Sequence, residues 1–212
     1  EDALRSIEEY NFSIHKQVYH DRYQRMMSIA YVTDKTIDVA NDDKYRIGFY
    51  FTNSEDGNAS LKIGSYLFRV KNSAGIAMHD SIVKYNVQHT TNLRKEYDKL
   101  VSNVKKMVLA VLQDGERLAP SLFEQLMKIK LNDKIFSEIL FTIPYKALRL
   151  TQVCEKADGL TIVFDETLTL YDVLCRVSEF VTYKTKPNTE YQLITETAKL
   201  TKILYKHTIR KE

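Results

Sequence analysis

The sequence predicts an α+β domain. An antiparallel β-meander of three to five strands within residues 36–88 is packed by one long amphipathic helix, and a mainly helical half follows over 90–212. Three observations predict it. Tyr45, Ile47, Phe49 and Phe51 alternate with Arg46, Gly48 and Tyr50, the period of two that a half-buried strand requires. Asn53-Ser54-Glu55-Asp56-Gly57-Asn58 then breaks the run with an Asp-Gly turn signal, and a second patterned strand follows. Leu93, Tyr97, Leu100, Val101, Val104, Val108 and Val111 recur at spacings of three and four, with Arg94, Lys95, Asp98, Lys99, Ser102, Lys105 and Lys106 on the other side. That is a helix of roughly 20 residues, about 30 Å long. Residues 1–212 are read as a single domain.

The remaining elements follow in order. Within residues 4–31, Leu4, Ile7 and Glu8 open as a short helix, and Tyr23, Met26, Met27 and Ala30 fit either a short helix or an approach strand. Ile37 and Val39 begin the sheet, and Asn41-Asp42-Asp43 turns it. The strand opened by Leu61 and Ile63 loses its phase after Gly64, where Tyr66, Phe68 and Val70 compete with Leu67, Arg69 and Lys71; a bulge at Gly64-Ser65 accounts for the change. Asn72-Ser73-Ala74-Gly75 turns the chain into Ile76, Ala77 and Met78, and Ile82 to Gln88 reads as one more extended segment.

The long helix is expected to end at Gly115, with a second helix from Ser121 to about Ile129 after Pro120. Lys134 to Ile143 is a helical or extended apolar run stopped by Pro144, and Leu160 to Phe164 is a short strand. Thr169 to Tyr183 is a helix whose apolar stripe is Leu170, Val173, Leu174, Val177, Phe180 and Val181. After a polar linker at Lys184 to Asn188, the last helix carries Leu193, Ile194, Leu200, Ile203 and Leu204, with Lys199, Lys202, Lys206, His207, Arg210 and Lys211 gathered toward its end.

Composition bounds the function. At 44% hydrophobic the chain can build a core, and with 6 Gly and 3 Pro it is not a loop-rich scaffold. The net charge of +3 permits a nucleic-acid partner without demanding one, so what matters is whether the 31 Lys and Arg cluster. Cys154 and Cys175 lie 21 residues apart with no CxxC and read as two reduced, buried thiols. The longest aliphatic run, Val108 to Leu112, is far short of the ~18 residues of a membrane span, and no signal-peptide pattern opens the chain. The first residue is Glu1 rather than Met, which is read as a trimmed or partial chain. The expected location is the cytoplasm of a host cell.

No catalytic grouping with motif-quality spacing is present, so the chain is read as non-enzymatic, with no cofactor and no metal. Gly48, Gly57 and Gly64 are too far apart for a phosphate-binding loop. His15 and His20 miss the helical spacing of shared ligands, and His79-Asp80 with His89 reads as unrelated turn residues. The acidic residues Asp38, Asp42, Asp43, Glu55 and Asp56 are explained by turn chemistry, with Mg²⁺ binding the sharper alternative. The basic positions carry more. Arg46, Lys62, Arg69 and Lys71 are polar positions on the two central strands, Arg46 and Lys62 on one predicted face, with Tyr50 and Tyr66 interleaved and Lys105 and Lys106 on the helix. Cations beside aromatic rings are how single-strand binders combine phosphate attraction with base stacking; the alternative is a set of ordinary solvated positions.

Several segments resemble a phage- and plasmid-associated family of unknown function, of the type carried on cryptic prophages. They are Val39-x-Asn41-Asp42, Gly48 before Phe49 to Gly57, Ser60 to Val70, Gln88-His89-Thr90, and TLYDVLCRVSEF from Thr169 to Phe180. The resemblance runs from about Val39 to Tyr183. It departs from the family after Arg69, where Asn72-Ser73-Ala74-Gly75 stands for a Cys-Thr-Asn-Gly turn. It departs again in the late helix, where Tyr171 stands for Trp and Cys175-Arg176 for Asn-Ala, so no role of those family residues is carried over. The resemblance implies a mobile-element origin and no particular activity. The function expected first is DNA handling in recombination or replication, by single-stranded DNA binding or annealing as a homo-oligomer. The alternative is a virion or host-interaction protein that assembles through its Tyr-rich sheet and long helix. A nuclease using the acidic turns ranks last.

Overall fold

Strands β1 (Phe12–His20), β2 (Met26–Val39), β3 (Asp43–Ser54), β4 (Leu61–Arg69) and β5 (Gly75–Ala77) pair in sequence order, each antiparallel to the next. A sixth strand, β6 (Lys84–Val87), pairs with the first part of β4 while β5 pairs with its second part. The computed structural model describes residues 10–20, 26–39, 43–54, 61–78, 84–87, 97–143, 148–156, 159–183 and 190–209. The expected α+β architecture is present, and the sheet starts earlier than residue 36. Expected features at Leu4 to Glu8, Tyr23, Asn41-Asp42, the Glu55 to Asn58 tip, His79-Asp80 and His89 lie outside the described residues.

The register explains why the second central strand lost its phase. Tyr45↔Arg69 through Thr52↔Lys62 runs without a shift, so the expected bulge at Gly64-Ser65 is absent. Instead both faces of β4 are buried: Ile63, Ser65 and Leu67 on one side, Gly64 and Tyr66 on the other. A strand covered on both faces shows no hydrophobic alternation. The irregularities fall elsewhere, between Ile14 and Lys16 and between Val32 and Thr36. At the second, Thr33 is buried and its hydroxyl donates to the Ile47 carbonyl at 2.8 Å.

The sheet is curled. Residues of β2 and β4, which would be ~9.5 Å apart in a flat sheet, have Cα atoms within 8 Å. The inner face carries small residues, Ala30, Gly48, Gly64 and Ala77, beside Val32, Tyr50 and Tyr66. Tyr50 lies over its partner Gly64, where an added Cβ would come 2.4 Å from the ring. His15 of β1 reaches across to the Tyr66 hydroxyl at 2.8 Å and stands edge-on to Phe68.

Helix α1 (Tyr97–Lys128) packs on the outer face. It was expected as two helices broken at Gly115 and Pro120, but it is continuous through both. The reason is its buried stripe: Val108, Val111, Leu112, Ala119, Leu122, Phe123 and Leu126 keep one phase across the Gly and the Pro, and core burial overrides local propensity. Helix α2 (Asp133–Thr142) begins at Asn132, whose side chain accepts the Ile135 N–H at 3.1 Å. A short 3₁₀ turn at Leu148–Leu150 leads into the hairpin β7 (Thr151–Lys156) and β8 (Gly159–Phe164).

Helix α3 (Leu170–Tyr183) opens with a reciprocal cap. Asp172 accepts the Thr169 N–H at 2.8 Å, and the Thr169 hydroxyl accepts the Asp172 N–H at 3.1 Å. Helix α4 (Glu190–Ile209) closes the sheet. Thr197 accepts the Ala77 N–H at 2.9 Å and Thr201 donates to the Ala77 carbonyl at 3.2 Å, so an edge strand that would otherwise present open backbone is satisfied by a helix. The same helix touches β1 and places Ala198 against the inner cluster. One apolar cluster runs from Tyr10 to Leu204 and joins the sheet to all four helices. Among the described residues, no helix is long and apolar enough to cross a membrane.

Candidate functional site

The register divides the cations that the sequence grouped together. Arg46 stands opposite Phe68 and Lys62 opposite Thr52, so both lie on the inner face as expected, at its two ends. Between them this face is apolar. Tyr50 is 4% exposed and Tyr66 0%, so neither ring is presented to a base. Arg69 stands opposite Tyr45 on the outer face, where α1 also packs; Lys105, which has a partner, and the exposed Lys106 are therefore across the sheet from Arg46 and Lys62. Lys71 was expected on the second central strand, but β4 ends at Arg69 and Lys71 is exposed in the turn that follows. Arg46, Lys62, Lys71 and Lys106 form no ion pair among the described residues.

Arg69 is committed to a buried network. Its Nε donates to both oxygens of Asp43 at 3.0 and 2.9 Å and its terminal nitrogen donates to Oδ2. Tyr171 of α3 donates to the same Oδ2 at 2.7 Å. The single hydroxyl proton of Tyr171 is thereby used, so Tyr45 donates to Tyr171 at 2.9 Å, and the Cys175 thiol, 3.8 Å away, donates to Tyr45. Burial by itself would raise the Asp43 carboxyl, but the Arg69 guanidinium and the Tyr171 hydroxyl outweigh it and hold the group below the usual carboxylate range. Burial pushes the Tyr45 and Tyr171 phenols and the Cys175 thiol up, so all three are neutral at pH 7. Cys175 is free and buried, as expected; the Cys154 side chain lies outside the described residues. This arrangement ties α3 to the end of β3 and β4 through a continuous chain of hydrogen bonds from Arg69 and Asp43 to Tyr171, Tyr45 and Cys175.

The outer side of α3 is different. Arg176, Glu179, Phe180 and Tyr183 fall at i, i+3, i+4 and i+7, one face of the helix, and with Arg149 they line an open depression of about 240 Å³. The Arg149 guanidinium lies 4.3 Å from the centre of the Phe180 ring. Arg176 reaches Asp165 at 3.4 Å with half its side chain exposed, and Tyr183 is 54% exposed. Phe180 was expected in the buried stripe with Val177 and Val181; it is instead half-buried beneath Arg149. The spacing of Arg176, Glu179, Phe180 and Tyr183 was present in the sequence as a polar-aromatic helix face. The contribution of Arg149 was not, because it comes from a turn that α3 meets only in the folded chain.

Two guanidiniums and the accessible Tyr183 ring around one depression can bind a phosphate and a planar group together. Among the described residues no three metal-ligating side chains converge, and the described acidic residues of the turns are engaged by cations, Asp38 by Lys44 and Asp43 by Arg69. Fold and site thus define a curled-sheet α+β protein with an arginine–aromatic depression on a late helix. The chain belongs to the family described as domain of unknown function DUF932, which matches residues 2–204. Neither a curated protein nor a solved structure matches it.

Proposed function

We propose that this protein is a non-enzymatic binder of single-stranded nucleic acid, a DNA-handling component of a phage or plasmid acting as a homo-oligomer in the cytoplasm of a host cell. The observation that carries the reading is the depression on α3, where the Arg149 guanidinium covers the Phe180 ring beside Arg176 and Tyr183. Aromatic faces take bases of any sequence, and guanidiniums take the backbone between them. The cation-plus-ring combination anticipated on the sheet is thus available on α3, while Arg46, Lys62, Lys71 and Lys106 add positive charge elsewhere.

Fluorescence anisotropy of a labelled single strand, at low and raised salt, tests it. Arg149→Ala and Arg176→Ala are each expected to weaken binding and to lower the slope of log affinity against log salt by about 0.7, the release from one single-strand phosphate contact. Tyr183→Ala is expected to cost about 1–3 kcal/mol, the value of one stacked base, with the salt slope unchanged. No salt-sensitive binding at micromolar protein, or variants that bind as well as the parent, would sink the reading.

A second reading has its own observation. Phe141 on α2 is 92% exposed and the adjacent Leu140 41%, an apolar pair on an otherwise polar helix surface. If the protein is a virion or host-interaction component, this pair rather than the buried sheet tyrosines would carry assembly. Light scattering would then show a defined oligomer that is indifferent to nucleic acid and lost in Phe141→Ser.

A further inference from the structure

The depression on α3 contains a carboxylate that phosphate binding does not explain. Glu179 sits one helical turn after Arg176 and next to Phe180, and makes no hydrogen bond or ion pair among the described residues. It pairs with neither arginine: Arg176 turns to Asp165 and Arg149 lies over Phe180. In a site for phosphate alone, a carboxylate beside two guanidiniums works against the ligand by repulsion. It becomes useful if it faces a donor on the planar group that stacks at Tyr183. At about 240 Å³ the depression is below the range of ordinary ligand cavities, roughly 300–1,000 Å³, and suits one base with its phosphate.

We propose, resting on the single-strand reading above, that this depression reads one base, and that Glu179 selects bases with an exocyclic amino group, cytosine foremost, over thymine. A carboxylate accepts from the cytosine N4 amino group. Thymine offers its N3–H between two carbonyl oxygens, and these oppose the carboxylate as it approaches. Arg149 and Arg176 hold the phosphate, and the exposed Tyr183 ring supplies the stacking surface. Binding is therefore general for single strands and graded by base at one position of the footprint.

The test compares labelled oligodeoxycytidine and oligothymidine of equal length, two pyrimidine strands of similar stacking strength, with the parent protein and with Glu179→Ala. Glu179 is exposed on a helix surface, so the variant keeps the fold, which circular dichroism verifies. The parent is expected to bind the cytidine strand about 5- to 10-fold more tightly, the low end for one base-edge contact. In Glu179→Ala the ratio falls to about one while affinity for the thymidine strand holds or rises, since a negative charge has left the phosphate site. Equal binding of both strands by the parent, or a Glu179→Ala variant that keeps the preference, overturns the base-reading role and leaves single-strand binding standing. Failure to bind either strand overturns both.

Discussion

Asp43→Ala is expected to cost about 3–5 kcal/mol of folding stability, the range for a buried ion pair that loses one partner. Asp43 is 6% exposed, and the side chain of Arg69 is nearly as enclosed. Without the carboxylate, a guanidinium remains among Tyr45, Tyr171 and Cys175 with no counter-charge, and the Tyr171 hydroxyl loses its acceptor. Urea unfolding followed by circular dichroism measures the loss. The double variant Asp43→Leu/Arg69→Met is expected to recover much of it, because an apolar pair of similar volume leaves no charge uncompensated. A double variant as unstable as Asp43→Ala would place the loss in packing rather than in the ion pair. The effect should reach the outer depression too, since Tyr171 and Cys175 anchor the inner face of the helix that carries Arg176, Glu179, Phe180 and Tyr183.

The same carboxylate sets a pH dependence. Its folded pKa lies below the ordinary value, because Arg69 and Tyr171 overcome the effect of burial. A depressed folded pKa adds stability that is complete above the unfolded value of ~3.9 and is lost as pH falls through the folded one. Urea midpoints of the parent should therefore decline from about pH 4 downward. In Asp43→Asn, less stable at neutral pH, that decline should be shallower. Matching acid profiles for the two proteins would remove Asp43 as its source.

What was legible in the sequence follows from which surfaces the residues meet. Tyr45 to Phe51 could be read because its odd positions face the α1 core in one unbroken alternation. Tyr50 and Tyr66 could not, because a tyrosine suits a wet surface or a dry one equally. They are buried by the curl of the sheet and by α4, whose Thr197 meets Ala77 120 positions earlier in the chain. Arg69 looked like a solvated strand cation; its partner Asp43 lies 26 residues away and becomes its neighbour only through the register of β3 and β4. Gly115 and Pro120 looked like helix ends, since each is one in isolation, and the buried stripe of α1 carries the helix through them. Phe180 was assigned to the core on spacing alone, and what separates it from Val177 and Val181 is the guanidinium of Arg149 over its ring.

Gly48→Ala is expected to destabilise at or above the upper end of the ~1–3 kcal/mol typical of overpacking. A Cβ at Gly48 would lie 2.0 Å from the Tyr31 carbonyl oxygen, 3.0 Å from its carbon and 3.1 Å from the Val32 Cα, all backbone atoms of β2. Backbone cannot rotate aside as a side chain does, so β2 has to move. Tyr31, stacked on Phe49 at 5.1 Å, would move with it, as would Thr33 with its hydrogen bond to Ile47. Gly115→Ala is the matched comparison. There the nearest atoms are the Ser65 hydroxyl at 2.9 Å and the Ile47 methyl at 3.6 Å, side-chain groups that can yield. A helix-interior Gly replaced by Ala gains up to about 1 kcal/mol. The Gly115 variant should therefore unfold at a urea midpoint equal to or above the parent's, with the slope unchanged, while the Gly48 variant falls well below it. A Gly48→Ala midpoint close to the parent's would mean that β2 and β3 do not approach this closely, and with that the tight inner face that buries Tyr50 and Tyr66 would be lost as an explanation.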